Sequence, residues 1–158
     1  MIRPAFSEHK SKLFVLIVAL FTTIGLPLII QDLYSLSSAW NTMWQPLFIL
    51  SNAIISYYMY SAQKWKISAL LLLALTAFSI EMYRDVHYFV AVLFFLSCVR
   101  PIILNKKLRV YSIPYILSLF LFVWDIMIAE IISILVLLLY HGHLLYLAWS
   151  INNKRHRR

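Results

Sequence analysis

The densest group of side chains that could do chemistry lies in two short stretches of the chain. It comprises four carboxylates, one guanidinium and one imidazole: Glu81, Arg84, Asp85, His87, Asp125 and Glu130. Carboxylates and an imidazole that face a common cavity can bind a cation or relay protons, and inside a membrane such groups are rare and functional. The competing interpretation, which the sequence favours, is that these are solvated residues at the outer ends of helices.

A second polar group falls within the last apolar segment. His141 and His143 are two residues apart, so on a helix they point about 200° from one another and cannot hold one metal ion. Each is expected to hydrogen-bond a different neighbouring helix in mid-membrane. His141 shares a helical face with Ile134, Leu137 and Glu130, the last about 16 Å away at 1.5 Å per residue, which allows a hydrated path between the two ionisable groups.

A third pattern is a polar stripe in the second apolar segment. Gln45, Asn52, Ser56 and Gln63 recur at spacings close to whole turns of a helix. Asn52 and Ser56 are the members expected in mid-membrane. Such a stripe either lines a polar groove or hydrogen-bonds neighbouring helices, and the second role is the expected one.

The elements that must position these residues are six apolar segments, most near the length of about 20 residues that a helix needs to cross a membrane. They are 13–30, 44–60, 67–82, 86–104, 113–126 and 130–150. The chain of 158 residues is 63% hydrophobic and leaves no room for a separate soluble domain. We therefore predict an all-α fold, a single membrane domain over 1–158 with six transmembrane helices arranged as three hairpins.

The charges predict the orientation of that bundle. Of the 14 Lys and Arg residues, all but Arg84 lie near the termini or around the second and fourth gaps between segments. Of the six Asp and Glu residues, all but Glu8 lie around the other gaps. Because cytoplasmic loops retain Lys and Arg, both termini are predicted to be cytoplasmic, and a bacterial inner membrane is the expected location.

Two further expectations concern the ends of the helices. The last hairpin is expected to turn at Asp125–Glu130, because one helix over 113–150 would be about 57 Å long, against about 30 Å of hydrocarbon. The tryptophans are expected at the two membrane interfaces, where indole rings prefer to lie. Trp40, Trp44 and Trp124 fall near predicted outer ends, and Trp65 and Trp149 near inner ends.

Composition limits the chemistry further. Two glycines leave no phosphate-binding loop, and the one cysteine, Cys98, allows no intrachain disulfide. No catalytic residue, cofactor or metal site is predicted. The net charge of +8 is spread over four short segments, which argues against nucleic acid. Anionic lipid headgroups are the expected partners of the basic tail, and a membrane-protein partner or a second copy is also compatible. The tail residues are Lys154, Arg155, Arg157 and Arg158.

Three functions fit these patterns. The favoured one is a non-enzymatic binding or accessory role, in which the bundle holds a lipid, an ion or a partner protein. The first alternative is a proton- or cation-coupled transporter or channel that uses the outer carboxylates and the mid-membrane histidines. The second is a membrane enzyme that acts on lipid headgroups at the outer face, near His87 and its acidic neighbours.

Overall fold

The structure, a computed structural model, describes residues 4–30, 33, 35–78 and 80–156. Within the helices, the side chains of residues 4–10, Trp40 and 152–156 are not described. Of the predicted partner residues in the basic tail, Arg157 and Arg158 therefore lie outside the described residues, and only the backbone of Lys154 and Arg155 is described. The acidic residue Asp32 also lies outside them.

The described part of the chain is all-helical, with no strand, which confirms the all-α part of the predicted fold class. Its α-helices are α1 Pro4–Leu20, α2 Leu26–Ile29, α3 Gln45–Tyr60, α4 Lys66–Ala77, α5 Arg84–Leu104, α6 Ser112–Phe120 and α7 Ile126–His156. One π-helical turn, Phe21–Gly25, joins α1 to α2, and short 3₁₀ turns cover Leu36–Asn41, Gln63–Trp65, Arg109–Tyr111 and Leu121–Val123.

Three helical stretches are long and apolar enough to cross a membrane. They are Ser11–Ile29, Arg84–Leu104 and Ile126–Ile151. By contrast, α4 has 12 residues and α6 has 9, lengths of about 18 Å and 14 Å at 1.5 Å per residue. Both are short of the roughly 30 Å of hydrocarbon. By length and composition, three of the six predicted spans are therefore supported.

The third predicted segment ends earlier than its apolar pattern indicates. It was expected to run to residue 82, but α4 ends at Ala77 and Phe78 has extended backbone angles (φ −109°, ψ 104°). The carbonyl oxygen of Phe78 is 2.7 Å from Nδ1 of His87 in the next helix, which satisfies it. Because a carbonyl oxygen only accepts, Nδ1 of His87 is the donor. Glu81 consequently lies in a turn rather than on a helix.

The turn of the last hairpin lies at the very start of the predicted stretch and does not extend to Glu130. The chain leaves the helical conformation at Trp124 and Asp125, and α7 starts at Ile126. Oδ1 of Asp125 accepts a hydrogen bond from the backbone N–H of Ile128 at 2.9 Å, so Asp125 acts as the N-cap of α7. Glu130 therefore lies inside α7, one turn beyond the cap, and not in the turn itself.

Hydroxyl groups connect the packed helices. The hydroxyl of Tyr115 in α6, which is fully buried, donates to the carbonyl oxygen of Phe95 in α5 at 3.0 Å. The Oγ atoms of Ser118 in α6 and Ser133 in α7 are 2.8 Å apart, and both residues are buried. Such interhelical hydrogen bonds each contribute about 0.6 kcal/mol on average in membrane bundles.

The turns with Lys and Arg meet at one end of the bundle, which we call the basic end: the α3–α4 turn (61–65) and the α5–α6 turn (105–111). The ring centroids of Trp65 and Tyr140 are 5.7 Å apart, and Nδ2 of Asn105 donates to the Tyr140 hydroxyl at 3.1 Å. We call the opposite end, with the Leu36–Asn41 turn and the start of α7, the acidic end.

Trp65 was expected at the bundle surface as an interfacial anchor, but it is buried. Its side chain is only 4% exposed and packs on Tyr140 and His141, whereas Trp124 is 78% exposed and Trp149 is 52% exposed. The preference of indole for an interface does not determine whether lipid or a neighbouring helix covers the ring. Here the helix α7 covers it.

Candidate functional site

The candidate site is a narrow cavity between α1, α3, α4, α5 and α7. Its volume is about 100 Å³, and most of its wall consists of apolar side chains such as Phe94, Leu72 and Leu138. Polar groups occur mainly where the cavity ends. Because five helices contribute to the wall, the cavity depends on the packing of most of the bundle.

At the acidic end, the cavity is closed by the turn between α2 and α3. Leu36 and Ser37 line it and are buried, and the backbone N–H of Leu36 donates to Oε2 of Glu130 at 2.6 Å. Oγ of Ser35 accepts from the N–H of Ser38 at 3.2 Å, which caps the short 3₁₀ helix. The carboxyl group of Glu130 thus holds a connecting turn inside the bundle.

At the basic end, the cavity meets an imidazole in an aromatic environment. The ring of His141 is buried, with centroid distances of 4.7 Å to Trp65 and 5.6 Å to Tyr58. Nδ1 of His141 has no hydrogen-bond partner in the described part of the chain. A buried ring nitrogen that lines a cavity without a partner is a position where a ligand or an ordered water can bind.

The two ionisable groups share one wall. Glu130, Ile134, Leu137 and His141, which helical spacing predicts on one face of α7, all line the cavity. They span about 16 Å along the helix at 1.5 Å per residue. A volume of about 100 Å³ over this length makes the space long and thin. Between the two ends, the α7 wall is apolar.

The predicted polar stripe of the second segment lies in α3 except for its last member. Asn52 lines the cavity, and both Asn52 and Ser56 are buried in α3. Oγ of Ser56 has no hydrogen-bond partner among the described residues. Gln63 lies beyond the end of α3 at Tyr60, in the following 3₁₀ turn, and is exposed. Gln45, Asn52 and Ser56 therefore share α3, and the stripe ends before Gln63.

His143 points to a different neighbour from His141. It is exposed, and its Nδ1 lies 3.2 Å from the hydroxyl of Tyr111 at the start of α6. The structure therefore brings Asn52, Glu130 and His141 to one cavity and leaves His143 on the surface of the bundle.

The group of charged residues proposed at the outer helix ends is not a single cluster. Glu81, Arg84, Asp85 and Asp125 are all exposed. By contrast, His87 and Glu130 are buried. His87 donates to the backbone carbonyl oxygen of Phe78, and Glu130 accepts from the backbone N–H of Leu36. No hydrogen bond or ion pair joins these six described residues to one another.

The six charged and imidazole side chains do not meet at one place in the described structure. No group of three or more His, Cys, Asp or Glu side chains that could hold a metal ion occurs among the described residues. The guanidinium carbon of Arg84 lies 6.0 Å from the ring centroid of Tyr88. An enzyme that acts on lipid headgroups would depend on Asp85 and His87. Asp85 is exposed, whereas His87 is buried.

Several residues that line the cavity or pack on His141 were not indicated by the sequence. Tyr58 and Trp65 give His141 its aromatic surroundings, and Leu36 and Ser37 close the opposite end. The three serines at positions 35, 37 and 38 in an apolar chain are a usable signal, because serines bond their own backbone in compact turns.

The chain was compared with known proteins for a relationship that would identify this cavity. No protein-family model matches the sequence, and no curated protein or solved structure matches it significantly.

Proposed function

We propose that this chain is a six-helix membrane protein that holds a hydrocarbon chain of a lipid in the cavity of its bundle. The observation that carries the proposal is the shape and lining of that cavity: long, thin, mostly apolar along its middle apart from Asn52, and closed at one end by a buried turn. Apolar cavities of about 150 Å³ in other proteins stay dry and bind hydrocarbon molecules. A cavity of about 100 Å³ spread over several helical turns suits a narrow chain better than a compact molecule.

The six-span arrangement is part of this proposal. Large apolar side chains are exposed on the short helices as well as on the long ones: Leu50 in α3 is 57% exposed, Leu70 in α4 is 56% and Leu117 in α6 is 61%. In water such faces would be costly, whereas lipid covers them. The segregation of basic and acidic turns supports cytoplasmic termini and a bacterial inner membrane as the location.

The orientation is tested with single cysteines in a Cys98→Ser background and a membrane-impermeant thiol reagent. We expect Lys64→Cys and Lys107→Cys to react only from the cytoplasmic side, and Glu81→Cys and Asp125→Cys only from the other side. All four side chains are exposed, so each has access to the reagent. Reaction of the Lys64 and Glu81 variants from the same side would contradict the six-span topology.

The occupant is tested with vesicles whose phospholipids carry a photoreactive diazirine along one acyl chain. Leu139 is 63% exposed on α7 and should be labelled by surrounding lipid, so it serves as the positive control. Leu138 lines the cavity, and we expect labelling there as well, because a bound chain would lie against it. Labelling of Leu139 with none at Leu138, Ile134 or Leu137 would mean that the cavity holds no lipid chain.

A second candidate function is a proton or cation path through the bundle. The specific observation in its favour is that Glu130 and His141, both ionisable, lie in the wall of one cavity. Such a path needs water between them. The intervening Ile134 and Leu137 of α7 offer no hydrogen bonds, and Asn52 of α3 is the polar side chain that could hold water between the two ends. Proton flux into liposomes that disappears in Glu130→Gln, together with an unlabelled cavity, would favour this candidate over lipid binding.

A further inference from the structure

A second and wider recess lies on the outside of the bundle, between α1 and α3 at the basic end. This groove has a volume of about 520 Å³, and its polar residues are Ser11, Lys12, Tyr57 and Ser61. Ser11 begins an apolar stretch that is long enough to span, and Ser61 directly follows the end of α3. In a membrane, this groove would lie at the depth of the lipid headgroups.

The groove and the cavity share part of their walls. Val15 and Tyr58 line both spaces, and the remaining apolar wall of the groove comes from Ala53 and Ile54. Tyr58 also packs edge-on against the ring of His141, with centroids 5.6 Å apart. Displacement of the two shared side chains would join the groove to the cavity.

The polar part of the groove suits an anion. Lys12 supplies a cation in its wall, and Lys64 and Lys66 follow in the turn at the same end of the bundle. Tyr57, whose side chain carries a hydroxyl group, lines the groove together with Lys12 and is 82% exposed. Cations and hydroxyl groups above an apolar wall match a phosphate ester above a hydrocarbon chain, and each Lys near an anionic lipid surface favours binding.

The dimensions allow one lipid to use both spaces. Lys12 in the groove and Thr23 in the far part of the cavity lie about 16 Å apart along the α1 direction at 1.5 Å per residue. A phospholipid with its phosphate near Lys12 would therefore extend a chain past Val15 and along the cavity toward Thr23. The groove opens sideways into the bilayer, because it lies between two helices on the bundle surface.

We infer that the α1–α3 groove binds the headgroup of an anionic phospholipid from the cytoplasmic leaflet and is the entrance through which its chain reaches the cavity. The entrance rests on the proposed function, since it requires a chain in the cavity. The headgroup site does not require a chain in the cavity, because it depends only on the residues of the groove.

The headgroup site is tested with phosphatidylglycerol that carries a diazirine next to its glycerol, with a phosphatidylcholine analogue for comparison. We expect labelling of the groove around Tyr57 and Ser61, stronger for phosphatidylglycerol, and about fivefold weaker in Lys12→Gln. Lys64→Gln is the matched control, because Lys64 is exposed at the same end but does not line the groove. Equal labelling by both lipids, or equal loss in the two variants, would overturn the headgroup site. So would a crosslink at Tyr57 to a second protein chain in place of lipid.

The entrance is tested with Val15→Trp, which places an indole in the shared wall, and with Ile17→Trp, whose side chain is 56% exposed on the same helix, as control. With chain-labelled phosphatidylglycerol, we expect Val15→Trp to keep groove labelling and to lose cavity labelling at Leu138, and Ile17→Trp to keep both. Unchanged cavity labelling in Val15→Trp would overturn the entrance and leave the proposed function intact. Absence of cavity labelling in the unmodified chain would instead overturn the proposed function, while groove labelling that depends on Lys12 would still support the headgroup site.

Discussion

Replacement of Trp65 by alanine is expected to lower the free energy of unfolding by about 3–5 kcal/mol. The indole is 4% exposed and packs against both Tyr140 and His141. Removal of so large a buried side chain leaves a void that the surrounding helices fill only partly. In this protein the void would also open the basic end of the cavity, because His141 would lose its nearest aromatic contact.

The matched control for this prediction is Trp149→Ala. Trp149 belongs to the same predicted set of interfacial tryptophans but is 52% exposed, so its loss should change stability by only about 0.5 kcal/mol. Both variants are compared by far-ultraviolet circular dichroism during denaturation in mixed detergent micelles. Similar midpoints for the two variants would mean that Trp65 is an interfacial anchor, as its position in the sequence suggests, and does not pack inside the bundle.

The helical segments could be predicted from the sequence because apolar runs and charged gaps alternate along it. The end of α4 could not be predicted, because Phe78, Ile80 and Met82 continue the apolar pattern into the turn. The chain leaves the helix at Phe78, where a hydrogen bond from His87 in the next helix satisfies the carbonyl group. That bond connects two segments, and hydrophobic periodicity describes only one segment at a time.

The polar residues of the site could be predicted only in part. Spacing correctly places Glu130 and His141 on one face of α7, because that face depends on helix geometry alone. The burial of His141 was expected, but that of Glu130 could not be predicted. Glu130 follows the N-cap Asp125 by five residues, and in sequence the two acids look alike, yet one is exposed and the other holds the N–H of Leu36. The partner lies 94 residues away in the chain, beyond the reach of any local pattern.

The cavity itself leaves no signature in the sequence. A void arises where the side chains of five helices fail to meet, and each of those side chains is an ordinary apolar residue such as Leu72 or Phe94. The same composition packed without a gap would give the same pattern. The groove beside α1 could not be predicted either. In the sequence, Lys12 is only one of the basic residues that predict a cytoplasmic N-terminus.

Replacement of Leu138 by tryptophan is expected to abolish retention of lipid by the purified protein. Leu138 lines the cavity, so a larger ring at this position occupies space that a hydrocarbon chain needs. Leu139→Trp is the matched control, because the neighbouring side chain is 63% exposed and lies outside the cavity. Since overpacking can cost about 1–3 kcal/mol, Leu138→Phe provides a milder variant whose folding is verified by circular dichroism.

The most direct measurement is native mass spectrometry of the protein released from detergent micelles, with bound lipids counted for each variant. We expect the unmodified chain and Leu139→Trp to retain one phospholipid, Leu138→Phe to retain it partly, and folded Leu138→Trp to retain none. If the unmodified chain carries no lipid, or if Leu138→Trp and Leu139→Trp retain it equally, then the cavity of this bundle does not hold a lipid chain.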